Sequence, residues 1–300
     1  MRRLPIWFLC VFVTLAESRA NDELPDFLIR LPDSVETVFV VETTSAAFHR
    51  FDQVAGQPIA YRGRNYMSIG KGGDGKQRAG DQRTPLGVYF VTEQLDTERM
   101  HEKYGVTAFP LDYPNAWDVR MQRSGDGIWV HGVDARVAER PLLDTDGCIA
   151  LPNDALAALK DSFDPNATPV VITRNVVWTD RATLDELRTA LEEAVSTWRD
   201  SLERGDMHAY LSLYDDEFRR WGMNKAEWTA LQMATVAARP IQEVTVNELL
   251  LLGDPAEEGL YLSRFRLAVT EASNTVVTTR RLYWHRSVDG AFTIVAEDAG

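Results

Sequence analysis

The chain has 300 residues, 45% hydrophobic and 26% charged, with 32 Lys and Arg against 45 Asp and Glu. That balance suits a folded protein of two ordinary domains and excludes a disordered or low-complexity one. The formal net charge of −13 argues against nucleic acid and anionic lipid surfaces as partners, since both would be repelled.

The first twenty residues differ in kind from the rest. Arg2 and Arg3 precede an apolar run from Ile6 to Ala16, and Ser18-Arg19-Ala20 puts small residues where a signal peptidase reads. Residues 1–20 therefore read as a secretory signal peptide, too short for a comfortable membrane span, and predict export to the periplasm. No later stretch is apolar enough to cross a bilayer. Cleavage would remove a net +2 and leave a mature chain of −15. It would also take Cys10 away, leaving Cys148 as the one cysteine in a compartment where thiols usually pair or oxidise. Such a thiol is either buried and inert or kept for its reactivity.

Residues 21–36 are a polar, Pro-interrupted lead-in. From Thr37 to Arg174 short β-like runs alternate with Gly/Pro turns: 38–41, 66–69, 87–91, 128–130 and 169–172. A long Gly/Lys/Arg loop from Gly70 to Thr84 interrupts them. It lacks the Gly-Lys-Ser/Thr ending of a phosphate-binding loop and suggests a mobile loop beside the substrate. After the cysteine, Asn153-Asp154 is placed to cap a helix through Lys160.

Beyond Arg174 the pattern changes. Leu184, Leu187, Leu191, Ala194 or Val195, Trp198 and Leu202 recur at three- and four-residue steps, the stripe of an amphipathic helix. Asp206 is placed to cap a second helix through Tyr214, and Asn224 a third with Trp228, Leu231 and Val236 facing inward. Four β-runs follow, at about 241–252, 259–271, 275–287 and 291–297, the last two joined by the hairpin signal Val288-Asp289-Gly290. Three helices and then a meander of long strands predict an α+β domain.

The chemistry concentrates near Cys148, in Thr145-Asp146-Gly147-Cys148-Ile149-Ala150-Leu151. Glycine beside a nucleophile lets a carbonyl approach the backbone, whose N–H groups can receive a developing oxyanion. Seventeen residues upstream, His131-Gly132 ends the run Ile128-Trp129-Val130. Brought beside the cysteine, this imidazole can take the thiol proton to give a thiolate–imidazolium pair and later return the proton to a leaving amine. Taken singly, each is as well explained as a core histidine or a small buried hydrophobe. No other histidine stands at metal-ligand spacing, one cysteine is too few for a zinc site, and no carboxylate pair suggests a glycosidase. No metal or cofactor is expected.

Together, His131-Gly132, the spacing and Thr145-x-Gly147-Cys148-Ile149 resemble the L,D-transpeptidase (YkuD-type) catalytic domain. Gly80-Asp81-Gln82-Arg83-Thr84-Pro85-Leu86-Gly87-Val88-Tyr89 and Leu111-Asp112-Tyr113-Pro114-Asn115 look like two further stretches of that family. The resemblance covers about residues 37–174 and implies a mostly β, sandwich-like catalytic domain with the cysteine in a groove. Residues 190–298 resemble, more loosely, the NTF2-like domain appended to a branch that includes L,D-carboxypeptidases. The resemblance implies attack by Cys148 on peptidoglycan stem peptides, His131 as base and then acid, and the Gly147 and Cys148 amides as oxyanion donors. It places substrate contacts at Arg83, Gly132, Thr145 and Asp146. Two departures stand out: the commonest form of the motif has histidine where Asp146 stands and arginine where Ala150 stands. Arg83, Arg136 and Arg140 are the candidate replacements for that arginine in holding a substrate carboxylate. Asp146 would raise the thiol pKa unless it turns away or bonds His131. Transfer to an amine is the first expectation, hydrolysis by the same pair the second, and a non-catalytic wall-binding scaffold the third.

Overall fold

The computed structural model describes residues 23–137, 140–238, 241–272 and 274–300, so the signal-peptide reading of residues 1–20 lies outside the described residues. Strands predominate, in a β-rich domain followed by an α+β domain, as the sequence pattern indicates.

The first domain is built on a five-stranded sheet in the order Ala60–Tyr66, Ala47–Asp52, Thr37–Glu42, Pro169–Thr173, Gly87–Phe90. The two central strands, Thr37–Glu42 and Pro169–Thr173, run parallel and are buried along almost their whole length, which is why they read as continuous apolar runs. Against this sheet lies a smaller one, in the order Ile149–Ala150, Trp129–His131, Ala108–Pro110. Phe39, Phe48, Phe109 and Phe163 fill the space between, with the Phe109 and Phe163 rings stacked at 4.1 Å. Aromatic rings of this size bury enough apolar area to fix the spacing of the two layers.

The second domain is a seven-stranded sheet, Met223–Asn224, Tyr214–Arg220, Phe292–Asp298, Asn274–Arg286, Leu260–Glu271, Ile241–Gly253, Leu28–Arg30. The helix Arg181–Glu203 lays Leu184, Leu191, Val195, Trp198 and Leu202 on it, and Asp180 caps its start by accepting from Thr183 N. Asp206 caps Met207–Ser212 through Ala209 N, and Asn224 and Glu227 form reciprocal caps on Lys225–Ala238.

Three features differ from the sequence reading. The second short helix stops at Ser212, and Tyr214 opens a strand. The four-residue step from Tyr210 to Tyr214 reads as helical, yet Tyr214 and Phe218 are buried as the strand alternates. Leu231 is exposed, while Trp228 carries its helix's burial. Most telling, the lead-in is structural: Leu28–Arg30 completes the edge of the second domain's sheet by pairing with Leu251 and Leu252. Glu23–Pro25 pairs with Trp178–Asp180 in the connection between domains.

One apolar core consequently crosses the domain boundary. Val38, Val40, Val88, Phe90, Trp117 and Val171 of the first domain are continuous with Leu28 and with the helix and sheet of the second. Polar contacts seal the same boundary: Asp112 pairs with Arg281, Arg120 with Glu217 at 3.4 Å, and Arg264 donates to the Asn166 carbonyl.

Candidate active site

His131 ends the strand Trp129–His131, and Cys148 immediately precedes its neighbour, Ile149–Ala150. Ile149 pairs in parallel register with Val130, and Ala150 with His131, so Cys148 falls alongside Trp129. Because side chains alternate along a strand, Ala150, Trp129 and His131 belong to one face. The Tyr104 ring confirms it for the last two, packing 4.9 Å from Trp129 and 5.3 Å from His131.

The histidine is held firmly. His131 is buried, and its Nδ1 lies 2.5 Å from the carbonyl oxygen of Gly132. A carbonyl can only accept, so Nδ1 carries the proton and Nε2 is left as a free base. Burial, with Arg140 and Lys103 adding positive charge nearby, lowers the His131 pKa to about 4, against the pull of the Gly132 bond. Gly132 must be glycine: a Cβ there would stand 2.3 Å from Asn153 Oδ1 and 2.9 Å from Val106 N. Asn153 occupies that space because its amide ties Val106 N, Val133 N and Val133 O together. It therefore braces the histidine's strand end and caps no helix. The helix Asn153–Leu159 has Pro152 at its N-cap and no side-chain cap.

The cysteine is half-buried and unpaired. Its thiol donates to the Gly127 carbonyl at 3.4 Å. Burial raises its pKa, opposed by the Trp129 N–H and by Lys103 and reinforced by Asp146. Burial thus favours a neutral thiol and a neutral imidazole, each bonded to a backbone carbonyl, before a substrate arrives.

Around the thiol the turn is built by Thr145. Its hydroxyl accepts from Gly147 N at 3.1 Å and donates to the Cys148 carbonyl at 2.7 Å. The Gly147 amide is thus engaged, and the position also needs glycine's backbone, at φ +130° with Thr84 Oγ1 donating to its carbonyl. Asp146 turns away from His131 to Lys71 at 3.4 Å and Gln82 at 3.1 Å.

The three arginines separate clearly. Arg83 donates to the Asp74 carbonyl, and its own carbonyl backs Gly147. Arg136 is exposed and paired with both Asp134 and Glu102. Arg140 alone lines a hollow of about 320 Å³ beside the site, with Tyr66, Ser68, Val133, Val137, Ala150 and Pro152. The Gly70–Thr84 loop is tied down at Asp81, which accepts from the amides of Gln77, Arg78 and Arg83 and from the buried Lys76. Those bonds hold the Asp81 carboxyl well below its ordinary range despite partial burial. Sequence reading missed Asn153's bracing role and the Lys103-Tyr104 pair, which bears on both Cys148 and His131. Neither residue type nor spacing marks them.

Comparison with known proteins completes the description. Residues 39–172 match the family model of the YkuD L,D-transpeptidase catalytic domain, and residues 190–298 that of the Cds6 C-terminal NTF2-like domain. Among solved structures, Bd1075 of Bdellovibrio bacteriovorus is 25% identical, with 92% of this chain and 98% of that one aligned at a TM-score of 0.76. The helical cell shape determining protein Pgp2 of Campylobacter jejuni is 23% identical, with 91% and 96% aligned at the same TM-score. Both likenesses span the two domains. No curated protein matches the sequence.

Proposed function

Since residues 39–172 belong to the L,D-transpeptidase catalytic-domain family and residues 190–298 to the NTF2-like family, we propose that this chain transfers acyl groups from peptidoglycan stem peptides through Cys148. The observation that supports the reading is the register of Ile149–Ala150 on Val130–His131, which brings the strand entered from Cys148 beside the one that ends at His131, whose Nδ1 is taken by the Gly132 carbonyl. Nε2 takes the thiol proton as sulfur attacks the carbonyl of an L-centred residue preceding a terminal D-amino acid. The Cys148 amide is the backbone donor assigned to the oxyanion, since Gly147's is occupied. The imidazolium returns its proton to the leaving nitrogen as the C–N bond breaks, leaving a thioacyl-enzyme and a free D-amino acid. An acceptor amine then attacks the thioester, the S–C bond breaks, and the thiol recovers its proton.

Hydrolysis keeps every step but the last, with water as acceptor. What favours it as the second reading is Ala150, where the commonest transferase motif has arginine. Mass spectrometry of muropeptides incubated with the purified protein separates the two. New cross-linked dimers support transfer, monomers shortened by one residue support hydrolysis, and unchanged muropeptides count against both. The work of such an enzyme lies in the cell envelope, and a cell-shape role is in keeping with the likeness to the helical cell shape determining protein Pgp2. That location agrees with export by residues 1–20. The NTF2-like domain, joined to the first through a shared core, is assigned a positioning role.

A further inference from the structure

We propose that Lys103, held over the ring of Tyr104, is a positioning residue that supplies one fixed cation to the Cys148–His131 pair. The assignment rests on those two being the reacting pair and deepens that reading.

The geometry starts from the single helical turn Glu102–Tyr104, which lies against the end of the histidine's strand. The turn is pinned on both sides. His101 Nδ1 accepts from Lys103 N at 3.2 Å, and Glu102 pairs with Arg136 at 2.6 Å. Beyond it Gly105, at φ +64°, approaches so closely that a Cβ there would stand 2.4 Å from Val133 N and 2.7 Å from the carbonyl carbon of Gly132. The Tyr104 ring meets His131 edge-on, at 5.3 Å and 80°. Lys103 Nζ in turn stands 4.9 Å from the centre of the Tyr104 ring, within the reach of a cation–π contact. A flexible ammonium is thereby kept beside the ring that touches the base.

The other charges near the pair are already engaged. Arg140 acts on His131 but is bonded to Asp144 at 2.5 Å. Lys76 and Asp146 act on Cys148, yet Lys76 is bonded to Asp81 at 2.8 Å and Asp146 faces Lys71 at 3.4 Å. Glu102 and Arg136, the charges flanking Lys103, offset each other. Among the described residues no carboxylate pairs with Lys103, and it acts on both the thiol and the imidazole. Such a cation favours negative charge, first on sulfur and then on the oxyanion. It also opposes charge on the imidazole, so the imidazolium gives its proton more readily to the leaving nitrogen.

The test follows two titrations in the free full-length protein, so neither depends on turnover. Imidazole NMR reads His131, and the rate of iodoacetamide alkylation reads Cys148. Lys103 is exposed, so Lys103→Gln leaves the packing intact. Removing the cation should raise both midpoints by about half a pH unit, the size expected of one partly screened charge. His131 would then titrate above its value of about 4, and alkylation near neutral pH would slow about threefold. Lys103→Arg should restore both. A merely loosened site has a different signature: relief of burial raises the His131 midpoint but lowers that of Cys148, which speeds alkylation. Parallel upward shifts in Lys103→Gln support the assignment. Unchanged midpoints, or shifts in opposite directions, overturn it. Tyr104→Phe keeps the ring and should match the parent protein; a shift there as large as in Lys103→Gln would move the effect to the hydroxyl and also overturn it. Failure of the transfer reading shows separately, as turnover by Cys148→Ala.

Discussion

At the residue scale the site works by keeping charge out until it is needed. Burial pushes the Cys148 thiol up and the His131 imidazole down to about 4, so both are neutral near pH 7. The Gly132 carbonyl settles which nitrogen is basic, so the histidine needs no carboxylate partner to be a competent acceptor. Two results follow for the free protein. Alkylation of Cys148 by iodoacetamide should be slow at pH 7 and rise about tenfold per pH unit to beyond pH 9, as the thiolate fraction grows. A plateau already at neutral pH would mean a resting ion pair. The rise of kcat/KM with pH should have its midpoint near 4, where the base loses its proton, not near the ordinary histidine value.

At the element scale, two short strands do the positioning, and their spacing depends on a close approach at Gly132. Gly132→Ala would drive a Cβ into Asn153 Oδ1 and Val106 N. It should cost about 1–3 kcal/mol of stability, as overpacking does, and lower kcat further by displacing the carbonyl that fixes His131. Thermal unfolding and steady-state kinetics on the same preparation check both. Much of this architecture is legible in the sequence because buried strands and amphipathic helices leave periodic signals. Thr37–Glu42, Pro169–Thr173, Arg181–Glu203 and the four closing strands all carry them. Ala60–Tyr66 escapes because polar residues dominate this edge strand, and Ala47–Asp52 because His49 and Arg50 interrupt its apolar residues. Ile149–Ala150 is too short to show a period. In the site, His131 and Cys148 stand out by residue type and motif. Asn153's bracing and the occupied Gly147 amide do not, since each depends on contacts distant along the chain or on the conformation of one turn.

At the scale of the molecule, the two domains behave as one packed body because a single core and Leu28–Arg30 bind them. Asp254 is the weak point in that seam. It is buried, its Oδ1 accepts from Ala256 N, and the Val88 N–H also faces its carboxyl. Burial, with Asp118 adding to it, pushes its pKa up to about 7. A carboxyl with a folded pKa above its unfolded value stabilises most below the unfolded one, and that contribution is lost as pH rises through about 7. His131 has the opposite sign: its contribution is present above its unfolded value and lost as pH falls through about 4. Between pH 5 and 8 the two contributions largely offset each other, each changing by about 2–3 kcal/mol in opposite directions. Asp254→Asn should remove the falling contribution and leave stability rising by about 2 kcal/mol over that range. Denaturant unfolding at several pH values reads both. An unchanged profile in the variant would contradict the role given to Asp254.

The most direct measurement is the mass of the intact protein after mixing with a stem peptide ending in a D-amino acid and quenching in acid. The account predicts an increment equal to the peptide less its terminal residue and one water, carried on Cys148. The increment should be absent from Cys148→Ala and formed at least about 100-fold more slowly in His131→Ala, the range for loss of a general base. Turnover of the peptide by Cys148→Ala, or an adduct on any other residue, would contradict it.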